Sequence, residues 1–536
     1  MEREKREDLI TYFEGEQGFP EEIGLTLDGD PDHLRQQLPE LIGVLDRGGR
    51  IRVEIDPACE EAVRRGRELV EQAASSEEAV YGVNTGFGKL ATLRIEEERL
   101  SELQHNLLLS HHVGHGDPVP ESVVRLAMVL KLANLLTGRS GVRLKLCQRV
   151  AELINQPWYP RVPRRGSVGA SGDLAPLAAC FLPLIGHGEA LLDGVLHRVE
   201  TLVGLKRWQP MELSAKEGLA LINGIQMSLS WALVAHYRAE RLAKAGVLAG
   251  ALAVEAYKGS ITPFSNLLNS LSGQPWQERV AASLHQLIEG SEILESHRHC
   301  SRVQDPYCLR CMPQVLASVL AGLEQARSIL DRAVGTVSDN PLVIWEEGRL
   351  VSGGNFHGQL VAQAADQIAA AMAELVNIFE RQLDLLLDEK RSGLPPFLAG
   401  EPGITSGLML TQTATAEIAA ISRILATPLR VHSLPTGAGQ EDLVPMATYG
   451  AERAHLLTDF ARAGLAYLGM AAVNAIRLHR PLRSTEKLEL ALSYLDEAVP
   501  DTREGDFAPA RHLLEVARRL TVAAERLVDL SPAKAG

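Results

Sequence analysis

The chain has 536 residues, of which 46% are hydrophobic, so it is long enough to bury a large core. Its formal net charge is −14, which argues against a general affinity for nucleic acid or an anionic membrane, because both attract positively charged proteins. These properties leave the chemistry of a small molecule as the best starting hypothesis.

The N-terminal sequence MEREKREDLITYFEGEQ mixes acidic and basic residues and lacks the apolar core of a signal peptide. No later stretch approaches twenty apolar residues without a charge, as a membrane-spanning helix requires. The six cysteines are too sparse for a disulfide framework, and a reducing compartment keeps them as thiols. We therefore expect a soluble, cytoplasmic protein.

Three regions follow one another along the chain. Residues 1–50 carry loop signals around one short predicted helix, LRQQLPELIGVLDRG, and are interpreted as an N-terminal extension. In residues 51–226, apolar residues recur at three- and four-residue spacing, and glycine- or proline-rich joints separate the predicted helices. Residues 227–536 form a predicted bundle of long helices. The sequence therefore predicts a mainly α protein, with a smaller N-terminal domain followed by this bundle.

The long helices are predicted from their composition. Residues 215–257, 313–334 and 358–390 are rich in alanine and leucine and poor in β-branched runs. Residues 358–378 are apolar on more than one face, which predicts burial all round, either within a large bundle or between subunits. Oligomerisation is therefore expected.

The segment HRHCSRVQDPYCLRC contains cysteines and histidines that could bind zinc. Its potential ligands are His297, His299, Cys300, Cys308 and Cys311. The Cys308/Cys311 pair has zinc spacing, but a structural site needs a second pair at short spacing with turn residues between. Here the segment around Cys308 reads as a helix that begins after a proline. We expect no metal at this segment.

Two further segments resemble ligand motifs only in part. HHVGHG places His111 and His115 four residues apart, but the glycines disfavour a regular helix and no glutamate stands between the histidines, as in H-E-x-x-H. VNTGFGKL lacks both the first glycine and the Ser/Thr of a phosphate-binding loop. Neither a metal nor a nucleotide cofactor is expected.

The sequence GASGDLAPLA, residues 169–178, has two interpretations. Ser171 or Asp173 can cap the apolar helix that follows, since both residue types are favoured at N-caps. Alternatively the backbone is reactive: the amide nitrogen of Gly172 attacks the carbonyl carbon of Ala170, and two waters leave, one of them from the Ser171 side chain. The product is a methylidene-imidazolone (MIO), a strong electrophile, and its ring closes only where the flanking side chains are small.

A series of motifs in fixed order favours the second interpretation. The stretch GSVGASGDLAPLA resembles the signature of the aromatic amino acid ammonia-lyase and aminomutase family, whose members form MIO from Ala-Ser-Gly. The resemblance runs from about residue 80 to beyond residue 510 and includes YGVNTGFG, SAKEGLALINGIQ, VQDPYCLRC, SDNPL, GGNFHG, LPPFL and GQEDLVPM. It implies a histidase/fumarase-like architecture, an MIO-bearing N-terminal domain, and a homotetramer whose active sites are shared between subunits.

The resemblance also implies roles for individual residues. MIO, formed from Ala170, Ser171 and Gly172, makes the substrate amine a better leaving group, and a tyrosinate at Tyr81 removes the weakly acidic β-proton. Arg310 corresponds to the guanidinium that holds the substrate carboxylate in a bidentate pair. The other positions implied to contact the substrate or an intermediate are Asn223, Gln304, Tyr307 and Phe356.

Two positions indicate histidine as the substrate. Ser110-His111 and Gln440-Glu441-Asp442 resemble the histidine-specific members, whereas members acting on phenylalanine or tyrosine more often have Asn-Gln-Asp at the second place. A carboxylate can pair with an imidazole and is poorly placed against a phenyl ring. His111 and Glu441 therefore predict an ammonia-lyase that converts L-histidine to urocanate and ammonia.

Other positions keep an alternative open. The departures from the histidine pattern are His112, Ile225, Gly335, Gly358 and Gly439. The alternative is an ammonia-lyase or 2,3-aminomutase that acts on tyrosine, phenylalanine or a related aromatic amino acid in specialised metabolism. A non-catalytic helical scaffold is disfavoured, because a scaffold does not need intact residues for acid-base chemistry and anion binding.

Overall fold

The computed structural model describes residues 21–88, 91–298 and 302–531. His299 and Cys300, two of the potential ligands weighed above, lie outside the described residues. Helices make up most of the described chain and the strands are short, as the sequence predicts. The protein is therefore mainly α.

A β-α-β unit opens the described chain. Strand β1 (Glu22–Leu27) pairs in parallel with β2 (Arg50–Ile55), and helix α1 (Pro31–Asp46) connects them. Every second residue of β1 is buried, and α1 buries leucines against the helices that follow. The predicted boundary at residue 50 falls inside this unit. Residues 22–50 thus pack with the core, and the interpretation of residues 1–50 as an N-terminal extension stays a prediction.

Short helices and small sheets make up the next part of the chain. Its helices are α2 (Glu60–Ser75), α3 (Leu100–His111), α4 (Glu121–Leu136), α5 (Leu144–Ile154), α6 (Leu174–Phe181), α7 (Val199–Gly204) and α8 (Glu217–Ile222). Its strands are β3 (His115–Pro118), β4 (Tyr159–Pro160), β5 (Pro163–Arg165), β6 (Glu189–Leu192) and β7 (Val195–Arg198). β3 pairs with β5, and β6 lies between β4 and β7; all these pairs are antiparallel.

Long helices dominate the rest of the chain. They and their shorter neighbours are α9 (Gln226–Tyr257), α10 (Asn266–Ser270), α11 (Pro275–Ile288), α12 (Glu292–Glu295), α13 (Tyr307–Arg310), α14 (Met312–Val334), α15 (Gln359–Leu387), α16 (Glu389–Ser392), α17 (Met409–Leu425), α18 (Ala447–Arg477), α19 (Glu486–Leu495) and α20 (Leu513–Leu527). A hairpin of β8 (Leu342–Ile344) and β9 (Arg349–Val351) precedes α15. The division of the chain into domains at residue 226 stays a prediction.

The bundle is centred on α9, which packs along both α15 and α18. Alanines are frequent in all three helices, and such small side chains allow helix backbones to approach closely. Helix α18 is long and apolar enough to cross a membrane by length and composition alone. Two thirds of its most apolar window is buried inside the protein, so we interpret it as a core helix.

The long-helix predictions are confirmed at α14 and α15, whose bounds match the predicted segments to within a few residues. The prediction of one continuous helix over residues 215–257 is wrong. The chain leaves the helical conformation at Asn223, and Gly224 has a φ of +132°. This break separates α8 from α9 and creates the turn on which the candidate site is built.

Gly66 and Gly322 both lie inside helices and provide a matched test of packing. A Cβ on Gly66 would lie 1.9 Å from the carbonyl oxygen of Gly138, whereas a Cβ on Gly322 meets no atom within 4 Å. We expect Gly66→Ala to destabilise the protein by about 2 kcal/mol or more, because α2 must move away from Gly138. Gly322→Ala should stabilise it by about 0.5–1 kcal/mol.

Urea unfolding monitored by circular dichroism measures both changes. Shifts of the two midpoints in the same direction would contradict the packing described for α2.

Candidate active site

Gly172 and Gly224 approach each other more closely than any other residue type allows. Gly172 has a φ of +73°, and a Cβ on it would lie 2.3 Å from the carbonyl oxygen of Gly224. The two residues form a parallel bridge between otherwise separate segments. Ala170 beside them is buried. The backbone at Ala170–Gly172 is therefore tightly folded, with only small groups around it, as the cyclisation chemistry requires.

The turn after α8 holds this segment on both sides of Gly172. The side-chain amide of Asn223 donates to the carbonyl oxygen of Ser171 at 2.9 Å. The backbone N–H of Asp173 donates to the carbonyl oxygen of Gly224 at 2.7 Å. The sequence-predicted residues Asn223, Ser171 and Gly172 are thus brought together.

The Asp173 side chain anchors the Ala-Ser-Gly segment to other helices and does not cap helix α6. It occupies the N-cap position of α6, but its side chain makes no capping hydrogen bond there. Its buried carboxylate accepts from the backbone N–H of Ser228 at 2.7 Å, from the Ser228 hydroxyl at 2.9 Å and from the Thr448 hydroxyl at 2.7 Å. Burial raises the pKa of Asp173. The carboxylate therefore ties the segment to the first turns of α9 and α18.

Glu441 lies directly against Ser171. The Ser171 hydroxyl donates to Oε1 of Glu441, and the Thr436 hydroxyl donates to Oε2 at 2.5 Å. Backbone hydrogen bonds between Thr436 and Glu441 close the loop that carries this carboxylate. The loop before α18 thus presents a fixed carboxylate at the centre of the site.

His111, the last residue of α3, lies within electrostatic range of the same carboxylate. Its Nδ1 lies 2.8 Å from the carbonyl oxygen of Leu107, which can only accept, so Nδ1 carries the proton. Burial lowers the pKa of His111, while the charge of Glu441 acts in the opposite direction. A neutral His111 with an accepting Nε2 follows from this arrangement.

Two further loops carry the predicted site residues Phe356 and Tyr81. In the loop that carries Phe356, the N–H of Gly358 donates to the carbonyl oxygen of Gly169 at 3.0 Å, and Nε2 of His357 lies 3.1 Å from the Leu443 carbonyl oxygen. These contacts place the Phe356 loop between the Ala-Ser-Gly segment and the Glu441 loop. Phe356 itself is half-buried.

Tyr81 lies in a loop that packs on α8. Gly82 has a φ of +66°, and a Cβ on it would lie 2.3 Å from the Leu219 side chain. The Asn84 side chain bonds to four backbone groups of the same region and fixes the loop. The backbone N–H of Gly88 donates to the Tyr81 hydroxyl at 3.3 Å. The Tyr81 loop therefore packs against α8, the helix that precedes Asn223.

Gln304, Tyr307 and Arg310 lie elsewhere in the chain. Tyr307 is 69% exposed, and the Arg310 guanidinium stacks 4.4 Å from the centre of its ring. Arg310 also donates to the carbonyl oxygen of Asp305 at 3.0 Å. Gln304 is exposed and lines an open cavity of 1020 Å³.

The length of helix α15 shows how far these residues lie from Ser171. Its first residue follows Gly358, which bonds to Gly169, whereas its Gln382 donates to the Cys308 carbonyl oxygen at 2.9 Å. An α-helix rises 1.5 Å per residue, so the stretch from Gln359 to Gln382 spans roughly 35 Å. One chain therefore does not bring the predicted carboxylate clamp to its own Ser171.

Three buried polar residues beneath the site were not found from the sequence. Lys131 on α4 donates to the carbonyl oxygen of Asn223 at 2.6 Å, and Lys216 pairs with Asp339 at 2.6 Å with both side chains fully buried. A lysine inside the apolar run VVRLAMVLKLANLL was the available signal for Lys131. The Lys216–Asp339 pair is 123 residues apart in sequence and left no local signal.

Both the sequence and the fold of this chain are similar to those of known proteins. A family model described as aromatic amino acid lyase matches residues 37–497. The chain is 45% identical to a histidine ammonia-lyase of Aromatoleum aromaticum over 84% of this chain and 85% of that protein. Its fold is similar to histidine ammonia-lyase from Trypanosoma cruzi, with a TM-score of 0.84, 29% identity and coverage of 95% and 96%. It is also similar to tyrosine aminomutase from Streptomyces globisporus, with a TM-score of 0.83, 28% identity and coverage of 94% and 98%.

Proposed function

The chain belongs to the aromatic amino acid lyase family, and from this premise we propose that it eliminates ammonia from L-histidine to give urocanate. The observation that carries the proposal is the contact of the Glu441 carboxylate with Ser171. The charge of Glu441 also acts on His111. A carboxylate fixed at this place can bind an imidazole N–H of the substrate beside the reacting segment. The enzyme is accordingly a carbon–nitrogen lyase of the cytoplasm that acts on a free amino acid.

Ala170, Ser171 and Gly172 form the MIO group in this proposal. A bond forms between the Gly172 nitrogen and the Ala170 carbonyl carbon. The Ala170 oxygen leaves as water with the protons of the Gly172 and Ser171 N–H groups, and a double bond forms between the Ala170 carbon and the Ser171 nitrogen. Ser171 loses its Cα proton and its hydroxyl as a second water. The tight Gly172–Gly224 approach and the buried Ala170 support this fit, because a larger side chain at either place would keep the reacting atoms apart. The group supplies an electrophile for the substrate amine.

The side chains of the protein handle protons and charge in this reaction. The Tyr81 oxygen takes the β-proton, and Glu441 holds the imidazole ring so that this proton faces the tyrosine. Asn223 already donates to the Ser171 carbonyl oxygen, where it stabilises added electron density. Arg310, aided by Tyr307 and Gln304, binds the substrate carboxylate.

We further propose a homotetramer with shared active sites, which the separation of Arg310 and Ser171 along the bundle supports. A second copy of the chain would bring its own Arg310 segment to the Ser171 end. Helix α17 and the loops around Glu441 expose large apolar side chains, as expected of a surface that another subunit covers. These are Leu410, Ile424, Val431, Leu434 and Leu443, each more than 60% exposed.

The second candidate is a lyase or aminomutase for another aromatic amino acid. It is favoured by the similarity of the fold to a tyrosine aminomutase and by Gly358-Gln359, which resemble the enzymes acting on tyrosine. A mutase differs only in returning the ammonia to the β-carbon, so the same residues serve both reactions.

Product analysis distinguishes the candidates. Purified protein is incubated separately with histidine, phenylalanine and tyrosine, and products are identified by mass spectrometry. We expect urocanate and ammonia from histidine, and no product from the Ser171→Ala variant, which cannot form the electrophile. Inert histidine together with a β-amino acid from tyrosine or phenylalanine would replace the first candidate by the second.

Glu441→Gln tests the basis of specificity. We expect kcat/KM for histidine to fall by about a hundredfold or more, because an uncharged amide holds the imidazole less strongly, while any activity on phenylalanine falls less. Glu441 also contacts Ser171, so its substitution can change the fraction of chains that form MIO. Each rate is therefore divided by the fraction of chains that have lost two waters. Glu401→Gln, at an exposed turn, is the control. An unchanged ratio of histidine to phenylalanine activity would remove Glu441 from the specificity argument.

Mixed oligomers test the shared site. Ser171→Ala and Arg310→Met chains are each expected to be inactive, and co-expression should recover roughly a quarter of wild-type activity if every site takes the two residues from different chains. The double variant Ser171→Ala/Arg310→Met provides the background. No recovery in stable mixed oligomers would show that one chain supplies both residues.

A further inference from the structure

Lys131 is a fully buried lysine on α4 whose ammonium has backbone partners. Its Nζ donates to the carbonyl oxygens of Asn223 at 2.6 Å and Ala220 at 3.1 Å. Among the described residues, no carboxylate lies within salt-bridge distance of it. A buried ammonium without an adjacent counter-charge is costly, because the protein replaces its hydration only in part. The position therefore requires an explanation.

Capping of α8 accounts for only part of this arrangement. A cation at a helix C-terminus stabilises the last carbonyl groups by about 0.3–2 kcal/mol. Helix α8 has six residues, and a partly exposed lysine would cap it without full desolvation. Lys244 on α9 illustrates the less costly form: it donates to the Glu525 carbonyl oxygen at 3.0 Å, contacts the Glu525 carboxylate at 3.2 Å, and is only partly buried.

The carbonyl group that Lys131 binds belongs to the turn that holds the reacting segment. Asn223 donates through its side chain to the Ser171 carbonyl oxygen, and Gly224 accepts from the Asp173 N–H. Any shift of the Asn223–Gly224 peptide would therefore move both contacts on the Ala-Ser-Gly segment. Lys131 fixes that peptide through its carbonyl oxygen.

Three other ionisable groups act on the ammonium inside the protein. The charges of Asp339 and Asp173 favour it, and the charge of Lys216 disfavours it. Burial is the largest influence and lowers the pKa of Lys131 to about 8. The ammonium is thus mostly charged at pH 7 and mostly neutral at pH 9.

We propose that Lys131 is a positioning residue for the maturation of Ser171, holding the Asn223–Gly224 turn so that Asn223 stabilises negative charge on the Ser171 carbonyl oxygen. That charge arises when Ser171 loses its Cα proton. The Cα–Cβ double bond then forms, the Cβ–Oγ bond breaks, and proton and hydroxyl together leave as one water. The proposal rests on the proposed function, because it concerns formation of the same electrophile.

The first test measures maturation rather than catalysis. Full-length chains are made by cell-free synthesis, and intact mass spectrometry follows the loss of two waters over time. Lys131→Met should lose the waters at least ~10-fold more slowly than wild type, since it removes the donor at the turn. Lys131→Arg keeps a cation and should retain a measurable rate, and Lys244→Met should match wild type. A folded Lys131→Met chain that matures at the wild-type rate would overturn the proposal.

The second test remains decisive if Lys131→Met does not fold. For each protein, the maturation rate at pH 9 is divided by the rate at pH 7. This ratio should be about tenfold lower for wild type than for Lys131→Arg, whose guanidinium stays charged over this range. Equal ratios in the two proteins would overturn the positioning role. A wild-type chain that never loses two waters would instead overturn the proposed function itself, and with it this role.

Discussion

Gly172 and Gly224 lie so close together that a Cβ on Gly172 would overlap the backbone of Gly224. On Gly224, a Cβ would meet the Ser338 carbonyl oxygen at 2.6 Å. This contact requires the break between α8 and α9, because only a chain that leaves the helix at Asn223 can turn toward the Ala-Ser-Gly segment. The carboxylate of Asp173 then joins that segment to α9 and α18. The reacting backbone is thus held by the centre of the helix bundle.

The bundle also separates the chemistry of one chain into two regions. Ser171 and Glu441 lie where α9 and α15 begin, whereas Arg310 lies beside the second half of α15. A rigid helix keeps these two regions apart within one chain, and the proposed shared site would bring them together from different chains. The exposed apolar side chains around Glu441 fit the same requirement, because subunit contact would bury them at the site itself.

Periodicity and composition predicted the long helices well, since α14 and α15 bury faces whose spacing is visible in the sequence. The same reasoning failed at Asn223–Ile225, because the sequence NGI inside an apolar run predicts a continuing helix. The turn there is explained by the close approach of Gly172, which is distant in sequence. The motif residues were identified by resemblance, and their positions relative to one another needed the structure. Asp173 shows the difference: its N-cap position was predictable, but its partners Ser228 and Thr448 were not, because they are distant in sequence.

In the proposed reaction, the backbone of Ala170–Gly172 becomes an electrophile without help from another protein. The most direct measurement is proteolytic digestion of the purified wild-type chain, followed by tandem mass spectrometry of the peptide that contains residues 170–172. We expect this peptide to be lighter by two waters and the loss to map to these three residues. The peptide from the Ser171→Ala variant should not have lost both waters. A wild-type peptide with its full unmodified mass would contradict the account.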